Sequence, residues 1–415
     1  MEKKELSWGR VFILIGALMA FLIGSGFASG QETVQYFTGY GVVGGFLVGT
    51  FNFVMIYIAY VAYAYAGRTR NLRNLNEVAS FYAGPLVGKA CETMAWLFTF
   101  CCYFFMSSGA ATTMNQQWGL PMPIGLAIFM ALVLLVTILG LTKIVDVIGC
   151  IGPVITLFTL VVGIISAFTY FPQIPEGQAL LDSGAVTISR GTNHWITAGL
   201  SFGGCSLLLC SNFVATLGYE NREYKFGRFK LVLLICAILD SYISVLMGFN
   251  HLGNVAESAV APIPNLVLAN HILGSVGTLF AIIILLAIYS TCCPLLWNSI
   301  SFFTKEDSSK KYKLLCVGMT VLAYVVCLFI PYQTLLGFIM TYCGYGGAIV
   351  FFIIAFCYFR QKKKDKLEGI EAYVSAVLYG KQYWAIQPAF SGIRVYCLLS
   401  RRLSDWEYKN NLQES

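Results

Sequence analysis

Glu32 and Asp240 are carboxylates set in apolar runs of the chain. A charged side chain at the centre of a bilayer costs about 3 kcal/mol or more, so each points to an ion, a proton, a substrate or a buried partner. No basic residue lies at matching depth to Asp240, which leaves protonation, a hydroxyl partner or water. Glu32 has a second reading, because Ser29-x-x-Glu32 has the spacing of a capping box that starts a half-helix. Ala287, Ser290 and Thr291 are spaced i, i+3, i+4 and share one helical face. Hydroxyls so placed either ligate a cation or bond back to a carbonyl one turn earlier.

Just before Glu32 the chain reads Ile23-Gly24-Ser25-Gly26-Phe27-Ala28-Ser29-Gly30-Gln31, which interrupts an otherwise apolar helix. The run Val11 to Ile23 is too short to cross a bilayer, since about 20 residues are needed, so the span continues through the glycines. Each glycine costs a helix about 1 kcal/mol relative to alanine, and unpaired backbone in lipid costs more. A break there implies that a bound ion or solute satisfies the backbone. Close packing is the other reading, because Gly16, Ala20 and Gly24 form a small-xxx-small face.

Membrane helices must position these residues. Of 415 residues 58% are hydrophobic and 11% charged, and mean hydropathy is +0.72, which excludes an ordinary soluble domain. Ten spans are expected, at 11–38, 41–66, 86–112, 123–141, 144–171, 195–219, 231–249, 273–303, 314–330 and 334–359. All but one of the 27 Lys and Arg residues then fall on one side, Arg190 being the exception. That bias puts both termini in the cytoplasm and accounts for the net charge of +7 without a nucleic-acid partner. The organisation read from this is an arm at 1–10, a five-helix repeat at 11–171, an outer loop at 172–194, a second five-helix repeat at 195–359 and a tail at 360–415. Pro262 and Pro264 open a short amphipathic helix over the outer face. The cysteine pairs Cys101-Cys102 and Cys292-Cys293 lack metal-ligand spacing, and His194, His251 and His271 map near the outer face without convergent partners.

Five spans after the first interruption, Ser201-Phe202-Gly203-Gly204-Cys205-Ser206 repeats its theme and predicts a second broken helix. An odd number of spans per half makes the halves opposite in orientation. Matching broken helices in an inverted repeat point to a midplane site between spans 1 and 6.

The block Gly24 to Glu32 resembles the first-span signature of YkvI-type bacterial membrane proteins, distant members of the amino acid-polyamine-organocation superfamily with the LeuT fold. The resemblance covers about residues 8–360. It implies an all-α protein of the bacterial cytoplasmic membrane with ten transmembrane helices, a 5+5 inverted repeat and broken helices 1 and 6. In sodium-coupled members of that fold a cation lies between the break in span 1 and span 8. By similarity, the carbonyls of Ala20, Ile23 and Ala287 and the hydroxyls of Ser290 and Thr291 would make a five-oxygen sodium site. Sodium is then the coupling ion, with no other cofactor.

Substrate contacts are expected from Gly24, Ser25, Gly26 and Phe27 in span 1, Tyr103 in span 3, and Phe202, Gly203 and Gly204 in span 6. Half-helix N-termini offer partial positive charge to a small carboxylate without any lysine or arginine. Core packing is the alternative for Tyr103 and Phe202. The function expected is secondary active transport of a small, amino-acid-like solute across the bilayer, coupled to sodium. The alternatives are proton coupling through Glu32 and Asp240, or a non-transporting sensor. A channel would need rings of charge in its pore, and an enzyme a nucleophile, base and carboxylate set, neither of which the sequence offers.

Overall fold

The computed structural model describes residues 4–22, 29–139, 152–274, 277–304, 306 and 309–378. Its regular structure among these residues is helical, with one isolated backbone bridge between Lys4 and Tyr224. In chain order the helices are α1 (Trp8–Leu22), α2 (Gln31–Tyr36), α3 (Gly41–Arg70), α4 (Leu75–Ala83), α5 (Pro85–Trp118), α6 (Met122–Thr137), α7 (Gly152–Tyr170) and α8 (Ile174–Asp182). They continue as α9 (Trp195–Glu220), α10 (Phe226–Gly253), α11 (Val255–Ser258), α12 (Pro264–Leu273), α13 (Gly277–Ser301), α14 (Lys310–Phe329) and α15 (Tyr332–Leu378).

Among the described residues seven segments are long and apolar enough to cross a bilayer: Gln31–Arg70, α5, α9, α10, α13, α14 and α15 as far as Gly369. Shorter apolar helices, α1 and α6, stand where the first and fourth spans were expected. Large apolar side chains point outward, with Phe12, Phe168 and Phe329 exposed at 70%, 83% and 80%. Such surface is stable only against lipid or another apolar partner.

The helix ends follow from local chemistry. Pro85 opens α5, where its missing N–H costs nothing, and Gly119, at φ +67, closes the helix in the left-handed region. Asn74 caps α4 by accepting from the Glu77 N–H at 2.8 Å, and the Glu77 carboxylate accepts from the Arg73 N–H at 2.7 Å.

Three sequence expectations are corrected. Span 6 is not broken: α9 is one continuous helix from Trp195 to Glu220, and its glycines serve packing instead. An added Cβ on Gly204 would collide with the Gly344 carbonyl oxygen and come within 2.6 Å of the Ala348 nitrogen, both in α15. One on Gly218 would lie 2.6 Å from the Ala64 carbonyl oxygen in α3. With α9 wedged between two backbones, its own helical hydrogen bonds stay intact, as small-residue packing in membranes requires.

The helix opened by Pro264 does not lie amphipathically on the surface, because Leu266, Leu268 and Ala269 are fully buried. It is inserted into the end of the bundle. Lastly, α15 does not stop at Arg360. The basic run after it is made of good helix formers, so the helix continues to Leu378 after the apolar stretch has ended.

Candidate functional site

Gly30 is where the first-span interruption falls within the described residues. Its φ is +82, a left-handed value that glycine adopts without penalty. Glycine is also required by space, since a Cβ there would lie 2.6 Å from Asn265 Oδ1 and 2.8 Å from His251 Nε2. Ser29 hydrogen-bonds the Tyr332 hydroxyl at 2.8 Å and accepts from the Gln31 N–H at 3.2 Å.

The expected capping box is therefore only half made. Ser29 caps the turn, but α2 begins after Gly30 with no side-chain bond at its cap, and Glu32 does not reach back. The left-handed glycine carries the chain away from the geometry that a box requires. Further along α2, Gln35 Nε2 donates to the Gln333 carbonyl at 3.1 Å, Tyr36 hydrogen-bonds Thr341 Oγ1 at 2.9 Å, and Thr38 donates to the Gly248 carbonyl at 2.8 Å. The segment after the break is thus bonded to α15 on one side and α10 on the other.

His251 has hydrogen-bond partners that the sequence did not reveal. It is fully buried, with Nδ1 3.1 Å from Ser258 Oγ and Nε2 2.9 Å from Asn265 Oδ1. An amide oxygen only accepts, so Nε2 carries the proton and Ser258 donates to Nδ1. Through Asn265 this network fastens α12 over the break. Gln116 fastens the same segment from α5, donating to the Ile263 carbonyl at 3.2 Å and accepting from its N–H at 2.9 Å.

Glu32 and Asp240 come near each other deep in the bundle, close enough to interact electrostatically, and each retains partial exposure. Asn52 of α3 donates to Asp240 Oδ2 at 3.2 Å and to Ser241 Oγ at 2.9 Å. Asp240 therefore has an amide partner, which the sequence reading did not name.

Of the expected substrate contacts, Phe202 faces the segment after the break, with its ring 5.0 Å from Phe37 in an edge contact and 6.0 Å from Tyr36. Gly203 meets Met55 Sδ, which an added Cβ would approach to 3.0 Å. Tyr103 is fully buried among Ser107, Cys292 and Thr320, and its neighbour Cys102 is near Glu32, Cys205 and Cys292. Gly24, Ser25, Gly26, Phe27 and Ile23 lie outside the described residues, and Ala20 is helical within α1.

In α13 both expected hydroxyls bond back within the helix: Ser290 Oγ donates to the Ala287 carbonyl at 2.9 Å and Thr291 Oγ1 donates to it at 3.0 Å. This is the back-bonding alternative to cation ligation, and it occupies the Ala287 carbonyl with two hydroxyl donors.

The basic end of the bundle is tied separately. Arg68 donates to the carbonyls of Asn221 and Tyr224, Arg228 pairs with Glu5 at 2.9 Å and donates to the Leu6 carbonyl at 2.6 Å, and the Lys225 N–H donates to the Lys4 carbonyl at 2.8 Å. Asp365 of α15 accepts from Tyr65 and pairs with Arg70 at 2.9 Å.

No protein-family model and no curated protein sequence matches the chain. Solved structures do. A substrate-bound, outward-open Na+-coupled sialic acid symporter is similar over 90% of this chain and 91% of its own, at 11% identity and a TM-score of 0.50. MhsT in complex with L-phenylalanine matches over 86% and 100%, at 14% identity and a TM-score of 0.49. A manganese transporter of Eremococcus coleocola matches over 97% and 95%, at 13% identity and a TM-score of 0.44. The resemblance drawn from the glycine block holds at the level of architecture: the chain has the LeuT-type transporter fold.

Proposed function

We propose that this chain is a secondary active transporter that moves a small, amino-acid-like solute across the bacterial cytoplasmic membrane by alternating access, with sodium as its coupling ion. The observation that carries this reading is the left-handed break at Gly30, held in the interior of a bundle with the fold of a sodium-coupled symporter. Irregular backbone at membrane depth is tolerated where it is buried in protein or lines a cavity.

In this reading the ten spans form two inverted sets of five, and the basic end, with both termini, faces the cytoplasm. Solute is bound by Gly24, Ser25, Gly26 and Phe27 together with Phe202, whose ring packs on Tyr36 and Phe37. Sodium sits between the carbonyls of Ala20 and Ile23 and the oxygens of Ala287, Ser290 and Thr291. Both hydroxyls donate to the Ala287 carbonyl, so sodium entering that half of the site displaces these bonds. The two tied ends, α12 over the break and Arg68 with Arg228 at the basic face, are the contacts that must open in turn.

Purified protein in sealed vesicles, given a sodium gradient and a panel of amino acids and other small solutes, tests the proposal. Accumulation of one solute class that requires sodium is expected. Thr291→Ala should weaken the sodium dependence about tenfold, the loss of about 1.4 kcal/mol of binding. Unchanged sodium dependence removes the α13 site. Binding without flux would make the chain a sensor instead.

A further inference from the structure

The surroundings of Glu32 and Asp240 are electrically one-sided. Glu32 is near Asp240, Cys102, Cys205 and Tyr332, and Asp240 is near Glu32, Tyr60, Cys210 and Cys236. Thiols and phenols are neutral, so two carboxylates share this interior and, among the described residues, no Lys, Arg or His stands against either.

A polar atom beside Asp240 adds a second observation. Asn52 is fully buried and spends its amide N–H groups on Asp240 and Ser241, while its carbonyl oxygen Oδ1, buried beside them, has no hydrogen-bond partner. The Tyr60 hydroxyl, two turns further along α3, is buried with the Cys210 thiol as its neighbour. Buried polar atoms are rarely left unsatisfied, and an acceptor left unpaired beside a carboxylate calls for a positively charged or hydrogen-donating occupant.

We propose that Glu32 and Asp240, the latter held by Asn52, form one proton-binding site that joins the segment after the Gly30 break to α10. Sodium fits these surroundings poorly, because four of the neighbours are cysteines and a hard cation seeks a shell of oxygens. A proton needs no shell. The proposal rests on the transporter reading and adds a proton-dependent step to it. When the bundle opens, a carboxyl O–H bond breaks and its proton passes to an entering water. The carboxylate left behind repels its neighbour and loosens α2 from α10.

Thermal unfolding of the full-length protein in detergent without sodium or solute, from about pH 5 to about pH 9, tests the pairing. Proton uptake on folding makes stability fall as pH rises. Wild-type protein should lose stability across that range, Glu32→Gln should lose about half of the slope, and Asp240→Asn a similar share. The infrared band of a protonated carboxyl group should be present at pH 7 in the wild type and reduced in each variant. If Asp240→Asn does not fold, the wild-type and Glu32→Gln spectra still decide.

Equal slopes in wild type and variants with no protonated-carboxyl band would overturn the proposal, as would stabilisation by sodium that Asp240→Asn abolishes. A flat profile in a protein that still takes up solute removes the pair and leaves the transporter. A sloped profile in a protein that moves no solute removes the transporter and leaves the pair.

Discussion

The interruptions at Gly30 and at Gly203-Gly204 look alike in sequence and come out differently in the fold. Gly30 turns the chain through a left-handed φ of +82 and lays its backbone against the side chains of Asn265 and His251. Gly203 and Gly204 stay helical, and Gly204 is pressed against the backbone of α15. What stands opposite distinguishes them. A glycine facing another helix's small residues is a packing device, and a glycine facing buried polar side chains at positive φ is a bend that those side chains hold in place.

Substitutions can break or sharpen that distinction. The largest effect is expected from Gly204→Leu, which drives a branched side chain into the Gly344 backbone. Overpacking of this kind costs about 3 kcal/mol or more, read as loss of the monodisperse folded fraction on size exclusion in detergent. Gly30→Ala should cost less stability, about 1–2 kcal/mol from the left-handed conformation, yet remove uptake, because it also displaces Asn265 and His251 from the break. Retained uptake in Gly30→Ala would erase the functional half of the comparison. The smallest effect belongs to Gly203→Ala. Its new methyl meets Met55 alone, 3.0 Å from Sδ and 3.3 Å from Cβ and Cε, and a change under about 1 kcal/mol in thermal stability is expected as that flexible side chain shifts.

Hydropathy located the transmembrane elements well where an apolar run ends in its own punctuation. The expected span at 86–112 became Pro85–Trp118, and that at 195–219 became Trp195–Glu220. Hydropathy reports the bilayer and not the helix, which is why the continuation of α15 through Lys362, Lys363 and Lys364 was missed.

The site was less legible. Glu32 and Asp240 stood out as charges in apolar runs, but that they are neighbours depends on how α2 meets α10. Asn52 was a lone amide among apolar residues and carried the same kind of signal more faintly. His251 and Asn265 lie fourteen residues apart in a loop-rich stretch, and no periodicity links them. Which way Tyr103 points depends on helical phase, which a span apolar on every side does not reveal.

The last helix has a mechanical consequence. Tyr332 at its start bonds Ser29, Gly344 and Gly347 abut α9 along its length, and Asp365 pairs with Arg70 near its far end. From Tyr332 to Asp365 an unbroken helix covers about 50 Å at 1.5 Å per residue, well beyond the thickness of the hydrocarbon. Such a rod cannot yield at one end alone. Either it stays put as the reference against which the break is displaced, or a pull on Ser29 is delivered to Arg70 at the far end of the helix.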